Sequence, residues 1–396
     1  MSFETVLSPQ EERIQNEING NVKNINRKNR AGEILKKIRS VKPQIDIERG
    51  LYFTQSFKET EGQPLNLRWA KALYHYAKNA TVYIDENQLL VGRSGKKGRY
   101  GILYPELDGN IYDEVIKRMP ERKNSPFDVS SEDMEIIANE ISPYWKGKTF
   151  NESFAKSLTE ETTKLTYNND KELTSRYIVN ETASFRSSIQ WVHDYEIVLE
   201  KGFKGIKKDA EERLTELDEY SPIDYTEKKP FLEATIITCD AIILWANRHG
   251  DFAEKLAESE TDAVRKAELR KIAEICHYVP ENPPRTFYEA MQAQWFTQMF
   301  SRIEQKTGTI ISNGRMDQYL YPFYKRDIEN GIITDDEVQE LFECMWVSMA
   351  QFIDLYLSET GGAFNEGYAH WEAVTIGGQT KEGYDAVNEL TYILLK

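Results

Sequence analysis

Arg186 and Gln190 are the first residues in this chain whose types and spacing suggest chemistry. They stand four apart in ETASFRSSIQWVHDYEIVLEKGFKGI, residues 181–206. On a helix, side chains four apart lie one above the other on the same face. A guanidinium fork matches the oxygens of a carboxylate, phosphate or sulfonate, and an amide beside it adds a directional donor. Ser187 and Ser188 between them are small and leave room beside that face. The same spacing equally suits a solvated arginine next to a helix-favouring glutamine, and spacing alone leaves both readings open. Downstream, Trp191, Val192, Tyr195, Val198 and Leu199 read as the apolar stripe of the same helix, which Lys201-Gly202 would close.

Other reactive residue types are present without a reactive pattern. His75, His193, His249, His277 and His370 form no HxxxH or HxH pair, so a metal site has no motif behind it. Cys239, Cys276 and Cys344 are far apart and lack CxxC spacing, which points to a reducing cytoplasm without a disulfide framework or zinc site. No GxSxG elbow occurs. His193 beside Asp194 reads either as an acid–base group or as a structural histidine. The acidic pairs Glu160-Glu161 and Asp335-Asp336 read as surface charge or helix starts. The glycines of GRSGKKG (92–98) are out of phosphate-loop order and read as a turn.

The 396 residues suffice for one large domain or two smaller ones, and 40% hydrophobic with 12% aromatic residues is a folded composition. A net charge of −15 disfavours nucleic acid and anionic membranes as partners. A small anionic substrate remains compatible, because local cations make a site. No apolar run nears the roughly 20 residues of a membrane span, and MSFETVLSPQEER does not read as a signal peptide.

The elements that must position these residues are mostly helical. Periodicity predicts helices over 8–40 (with a solvated basic patch from Lys23 to Arg30), 45–56, 64–78, 109–119, 130–140 and 150–164. Further helices are predicted from Pro230 to His249-Gly250, over 261–277, over 285–305, over 317–330 and from the capping box at Thr334–Glu337 through Phe352. Phe287, Trp295, Phe296, Met299 and Phe300 are assigned to the core. Residues 81–92 read as two short strands joined at Asp85–Asn87, 372–377 as a buried strand, and 385–395 as a helix. That closing helix, LTYILLK, leaves apolar surface, so the chain is expected to be a piece of something larger.

Several stretches resemble the pyruvate formate-lyase-like glycyl radical enzymes. They are FTQSFKETEGQPLNLRWAKALYHYAKNATVYIDENQLLVG (53–92), HDYEIVLEKGFKGIKKDAEERL (193–214, with His193 where proline is usual), PPRTFYEAMQAQWF (283–296) and SNGRMDQYLYPFYKRDIENGIITDDEVQELFECMWV (312–347). The resemblance implies an α/β fold. Residues 1–396 would form the mostly helical N-terminal half of a ten-stranded α/β barrel, incomplete in this chain. Within that family the chain is most similar to the carbon–sulfur lyases that cleave 2-hydroxyethanesulfonate (isethionate) to acetaldehyde and sulfite. Relatives acting on choline, glycerol, hydroxyproline or aromatic substrates share the frame, and a truncated non-catalytic scaffold is the other alternative.

By that resemblance Arg186, Gln190, Thr309 and Trp371 would contact a small sulfonate. The family's Gly-Cys-x-Glu loop and radical glycine do not occur here. The catalytic cysteine, its glutamate and the radical glycine are therefore expected beyond Lys396, and this chain alone is expected to be inactive and to bind no cofactor. The complete enzyme would carry a glycyl radical installed by an activating enzyme with S-adenosylmethionine and an iron–sulfur cluster, and would form a cytoplasmic homodimer.

Overall fold

The computed structural model describes residues 30–93, 98–107, 116–166, 191–304, 311–355 and 373–396. Its principal helices are α1 (Arg30–Ser40), α2 (Glu48–Glu59), α3 (Leu65–Asn79), α4 (Tyr195–Thr215), α5 (Lys229–Ser259), α6 (Ala263–Tyr278), α7 (Phe287–Glu304), α8 (Asp335–Met349) and α9 (Glu389–Leu395). Short helical stretches occupy 131–166, and two more run over Met316–Tyr319 and Tyr321–Glu329. The strands are β1 (Gln44–Asp46), β2 (Tyr100–Ile102), β3 (Trp191–Val192), β4 (Ile311–Ser312), β5 (Gly314–Arg315) and β6 (Val374–Thr375). They pair in parallel as β1–β2, β3–β4 and β5–β6. Parallel neighbours need long crossovers, and helices supply them here.

The helix starts follow their caps. The Thr334 hydroxyl accepts from Glu337 N (3.3 Å), and the Glu337 carboxylate accepts from Thr334 N (2.8 Å), which is the predicted capping box. Asp194 and Asp262 cap α4 and α6 in the same way, accepting from Ile197 N and Arg265 N. α5 packs against α3, α4 and α6, while α8 packs on α1. By length and composition the helical run Asp224–Ser259 could cross a membrane. Here one side of it buries Ala241, Ile242, Trp245 and Ala253, while Asp251 and Glu254 face outward, as in a surface-packed core helix.

Five expectations change. α5 does not stop at His249-Gly250, because Gly250 serves close packing: a Cβ there would lie 2.7 Å from the His277 ring of α6. α4 does not close at Lys201-Gly202. It kinks at Gly202 (φ 62°) and resumes to Thr215, and the amides freed by the kink donate to Pro280 O (2.8 Å) and Glu281 O (3.0 Å). Residues 81–92 are not two strands. The turn after Asp85 forms, but the flanking backbone pairs with side chains: Thr81 N with Glu48, and Val91 N and O with the Gln292 amide (3.0 and 2.8 Å). The N-terminal part of the predicted 45–56 helix is instead β1, with α2 following it. The 150–164 helix is broken into Phe150–Ser157 and Glu160–Thr166. Residues 8–29 and most of 109–119 lie outside the described residues.

α7 is the centre of the core. Phe287, Trp295, Phe296, Met299 and Phe300 are buried as expected, but so are Glu289, Gln292, Gln294, Gln298 and Arg302. A helix buried all round is a core helix, and its polar side chains must find partners. Against it lies His249, 1% exposed, whose Nδ1–H donates to Trp245 O (2.8 Å) and whose ring stands edge-on to Trp245 and Phe296.

Burial pushes the His249 imidazole down to about pKa 4. In the unfolded chain a histidine titrates near 6.5. Between those values the unfolded state binds more protons than the native one, so this contribution is whole above pH 6.5 and is lost as pH falls toward 4. Urea midpoints measured at pH 7.5 and pH 5 should therefore drop less in His249→Gln than in the parent. Equal drops would show that His249 is not held neutral.

Candidate functional site

Arg186, Gln190, Thr309 and Trp371 lie outside the described residues. What the structure gives is the frame that receives their segments. β3 begins at the residue after Gln190, and β4 begins two residues after Thr309; these two strands pair with Trp191 opposite Ile311 and Val192 opposite Ser312. Ala373, two residues after Trp371, accepts from Asn313 N (3.2 Å), and β6 then pairs with β5 through Gly314–Val374 and Arg315–Thr375. Three segments remote in sequence are thus joined through the run 311–315.

This geometry corrects two expectations. Residues 191–192 are strand rather than helix, because their backbone pairs with β4 and the cap at Asp194 starts the helix only at Tyr195. The apolar stripe is therefore real only from Tyr195 onward. The strand expected over 372–377 is limited to Val374–Thr375, and both residues are exposed rather than buried.

The backbone carbonyls of 311–313 each have a side-chain donor. Gln298 Nε2 donates to Ile311 O (2.9 Å), the Tyr195 hydroxyl to Ser312 O (3.3 Å), and the Tyr319 hydroxyl to Asn313 O (2.7 Å). The Asn313 amide also faces the Gln298 amide: Nδ2 donates to Oε1 at 2.9 Å, and Oδ1 accepts from Nε2 at 3.4 Å. Gln294 Nε2 joins them one helical turn away, donating to Gln298 Oε1 (3.2 Å). On the other side, Arg315 donates to Gly377 O and Gln379 O (both 3.1 Å). Asp317 accepts from Gly377 N and the Thr391 hydroxyl (both 2.6 Å), fixing the chain beyond β6.

The segment 305–310, which holds Thr309, leaves the end of α7. A helix leaves its last carbonyls without intrahelical partners. Here the Tyr104 hydroxyl donates to Arg302 O, Arg49 Nε to Ile303 O (2.6 Å), and both Arg49 Nη2 (3.0 Å) and Trp69 Nε1 (3.2 Å) to Glu304 O. Arg49 is 1% exposed, pairs with Glu106 (2.7 Å), and lies over the rings of Phe53 and Tyr104. Burial raises the Glu304 carboxyl pKa, and the charge of Arg49 opposes that shift.

His193 beside this frame and the three cysteines elsewhere are each held in one state. Burial pushes His193 down to about 4, and its ring stands edge-on to Tyr195, which suits a structural imidazole. Burial raises Cys239 and Cys344 to about 12 and Cys276 further, so their thiolates are suppressed. Among the described residues no group of three or more His, Cys, Asp or Glu gathers to hold a metal. The chemistry this frame supports is positioning.

Sequence reasoning missed Arg49, Gln298, Asn313, Arg315 and Asp317. The available signal was an arginine inside the largely apolar IDIERGLYF, and three glutamines along a helix already read as core.

The pyruvate formate lyase-like family model matches residues 21–396. The chain is 60% identical over 391 residues to isethionate sulfite-lyase of Nitratidesulfovibrio vulgaris, covering 98% of this chain and 47% of that protein. It is 59% identical over 394 residues to isethionate sulfite-lyase of Bilophila wadsworthia, covering 99% and 47%. The glycerol-bound B12-independent glycerol dehydratase of Clostridium butyricum superposes with a TM-score of 0.85 at 34% identity, over 93% of this chain and 45% of that one. The chain thus spans about half the length of the relatives it matches, and its architecture is part of an α/β barrel.

Removing the Arg49 cation should expose what it holds. Arg49→Met leaves the buried face of Glu106 and Ile303 O without their donor, and Glu304 O with Trp69 Nε1 alone, a loss of about 3–5 kcal/mol for a broken buried pair. Arg49→Lys, a point charge without the fork, should recover only part. Chemical unfolding of the three proteins measures it, and a loss under about 1 kcal/mol would mean that water replaces the guanidinium.

Proposed function

The chain belongs to the pyruvate formate lyase-like family, and from that premise we propose that it is the N-terminal portion of a glycyl radical carbon–sulfur lyase that cleaves isethionate to acetaldehyde and sulfite. The observation that carries this reading is the likeness to isethionate sulfite-lyases, which runs nearly end to end along the chain at about twice the identity shared with the glycerol dehydratase. A glycyl radical, installed by an activating enzyme that uses S-adenosylmethionine and an iron–sulfur cluster, supplies hydrogen-atom abstraction in the whole protein. The cysteine, glutamate and glycine of that chemistry belong to the rest of the protein, which works as a cytoplasmic homodimer.

The part assigned to this chain is binding. Arg186 offers a planar fork of donors to the sulfonate oxygens, and Gln190 adds a directional donor. Thr309 supplies a hydroxyl, and the Trp371 indole forms a wall that keeps water from a reactive intermediate. The convergence of the flanking strands supports this reading, since segments more than a hundred residues apart, those of Gln190 and Thr309, lead into one paired unit. Holding a substrate in reactive geometry is itself a large part of catalysis.

In the activated whole protein, isethionate should release sulfite, while glycerol and choline should not be turned over. Arg186→Lys should raise the KM for isethionate about tenfold or more, as expected when a bidentate fork becomes a point charge. A KM unchanged from the parent would remove Arg186 from the site. Sulfite-free parent protein that dehydrates glycerol would replace the lyase reading with a dehydratase.

A further inference from the structure

We infer that Gln298 and Asn313 are positioning residues of the substrate site, acting as a buried amide clamp on the register of the strands next to Gln190, Thr309 and Trp371. The inference rests on the proposed reading of those three positions. Both amides are fully buried, at 0% exposure, and they pair face to face. Gln298 also binds Ile311 O, and Asn313 N binds Ala373 O. The side-chain pair therefore touches the backbone that follows Thr309 and holds Asn313, whose main-chain N–H in turn binds the backbone that follows Trp371. β3 reaches the same unit through its ladder with β4.

The physical need is specific. β3, β4, β5 and β6 are two residues long. A strand that short cannot fix its own register, because it lacks the alternating buried face that makes a slip costly. A slip by one residue would shift everything upstream by about 3.3 Å and turn it to the other face. Binding groups tolerate misplacement of only about 0.5 Å before affinity and rate suffer. Apolar side chains would pack α7 against this run at least as well, since buried polar groups stabilise only when fully paired. What amides add is direction. Gln298 accepts from Asn313 and Gln294 and donates to Ile311 O and Asn313, an arrangement that suits only one register.

The test uses the whole, radical-loaded protein. Gln298→Met keeps the volume and removes the amide. It should raise the KM for isethionate about tenfold with a smaller change in kcat, while the glycyl radical signal per protein stays near the parent's; the unfolding midpoint should fall somewhat, because the Asn313 amide and Ile311 O lose their buried partner. Amide hydrogen exchange supplies a readout that needs no substrate: Gln298→Met should quicken exchange across 311–315 and leave α5 unchanged. An unchanged KM in the loaded fraction overturns the inference, and so does exchange that quickens everywhere, which is mere loss of stability. If the parent releases no sulfite, the isethionate reading fails on its own, and the exchange arm still decides the clamp: quickening confined to 311–315 supports it, and parental rates overturn it.

Discussion

The hydrogen-bonding demand of one buried helix governs how this chain is arranged. α7 carries Gln292, Gln294 and Gln298 through the buried interior, where an unpaired amide would cost a few kcal/mol. Gln294 binds Gln298 on the same helix, and the partners of Gln292 and Gln298 are segments that have few strand neighbours among the described residues. Gln292 binds both the N–H and the carbonyl of Val91, as a ladder partner would, and Gln298 does half as much for Ile311 while pairing with Asn313. The helix therefore does what a neighbouring strand would do. Segments from distant parts of the chain gain a common reference because they are attached to the same rigid element.

Charge completes that anchoring at the end of α7. Arg49 carries five donors in a fixed fork, and the structure uses them on Glu106 and on two helix carbonyls, with aromatic rings against the guanidinium plane. Arg30 does comparable work elsewhere, joining α1 to Glu268 of α6 and Glu340 of α8. Neither cation is available to a substrate. The buried histidines are held neutral and the cysteine thiols protonated, by the same loss of solvent. Arg49 and Arg30 thus supply fixed charge, and His193, His249 and the buried thiols stay in one protonation state.

Much of the helical frame was legible in the sequence, for reasons that also explain the failures. α3, α6, α7 and α8 have enough turns for a 3.6-residue period to emerge, and the box at Thr334 and Glu337 announces the start of α8. Gly250 looked like a helix stop because a glycine after a basic residue is the usual sign of one; its real purpose, room for His277 on another helix, is set by tertiary packing. Trp191 and Val192 joined a helical stripe because two residues cannot display alternation. Arg186 and Gln190 stood out by type and spacing and took a substrate role only from resemblance, Thr309 and Trp371 came from resemblance alone, and all four lie outside the described residues. Gln298 was invisible for a different reason: glutamine is a good helix former anywhere, so its presence does not reveal burial.

The position of these candidates relative to their strands makes the support around them matter more. Gln190, Thr309 and Trp371 each precede a strand only two residues long. In an ordinary α/β site, strands of five or six residues extend away from the loop and hold it through many ladder bonds. Here each ladder is that short, and the run 311–313 to which the others pair is held by side chains as well: Gln298 of α7, Tyr195 and Tyr319 grip its carbonyls. A substrate group contributed by such a segment is only as well placed as those side-chain bonds. Changes deep in the core, far from any ligand atom, then have a direct route to affinity.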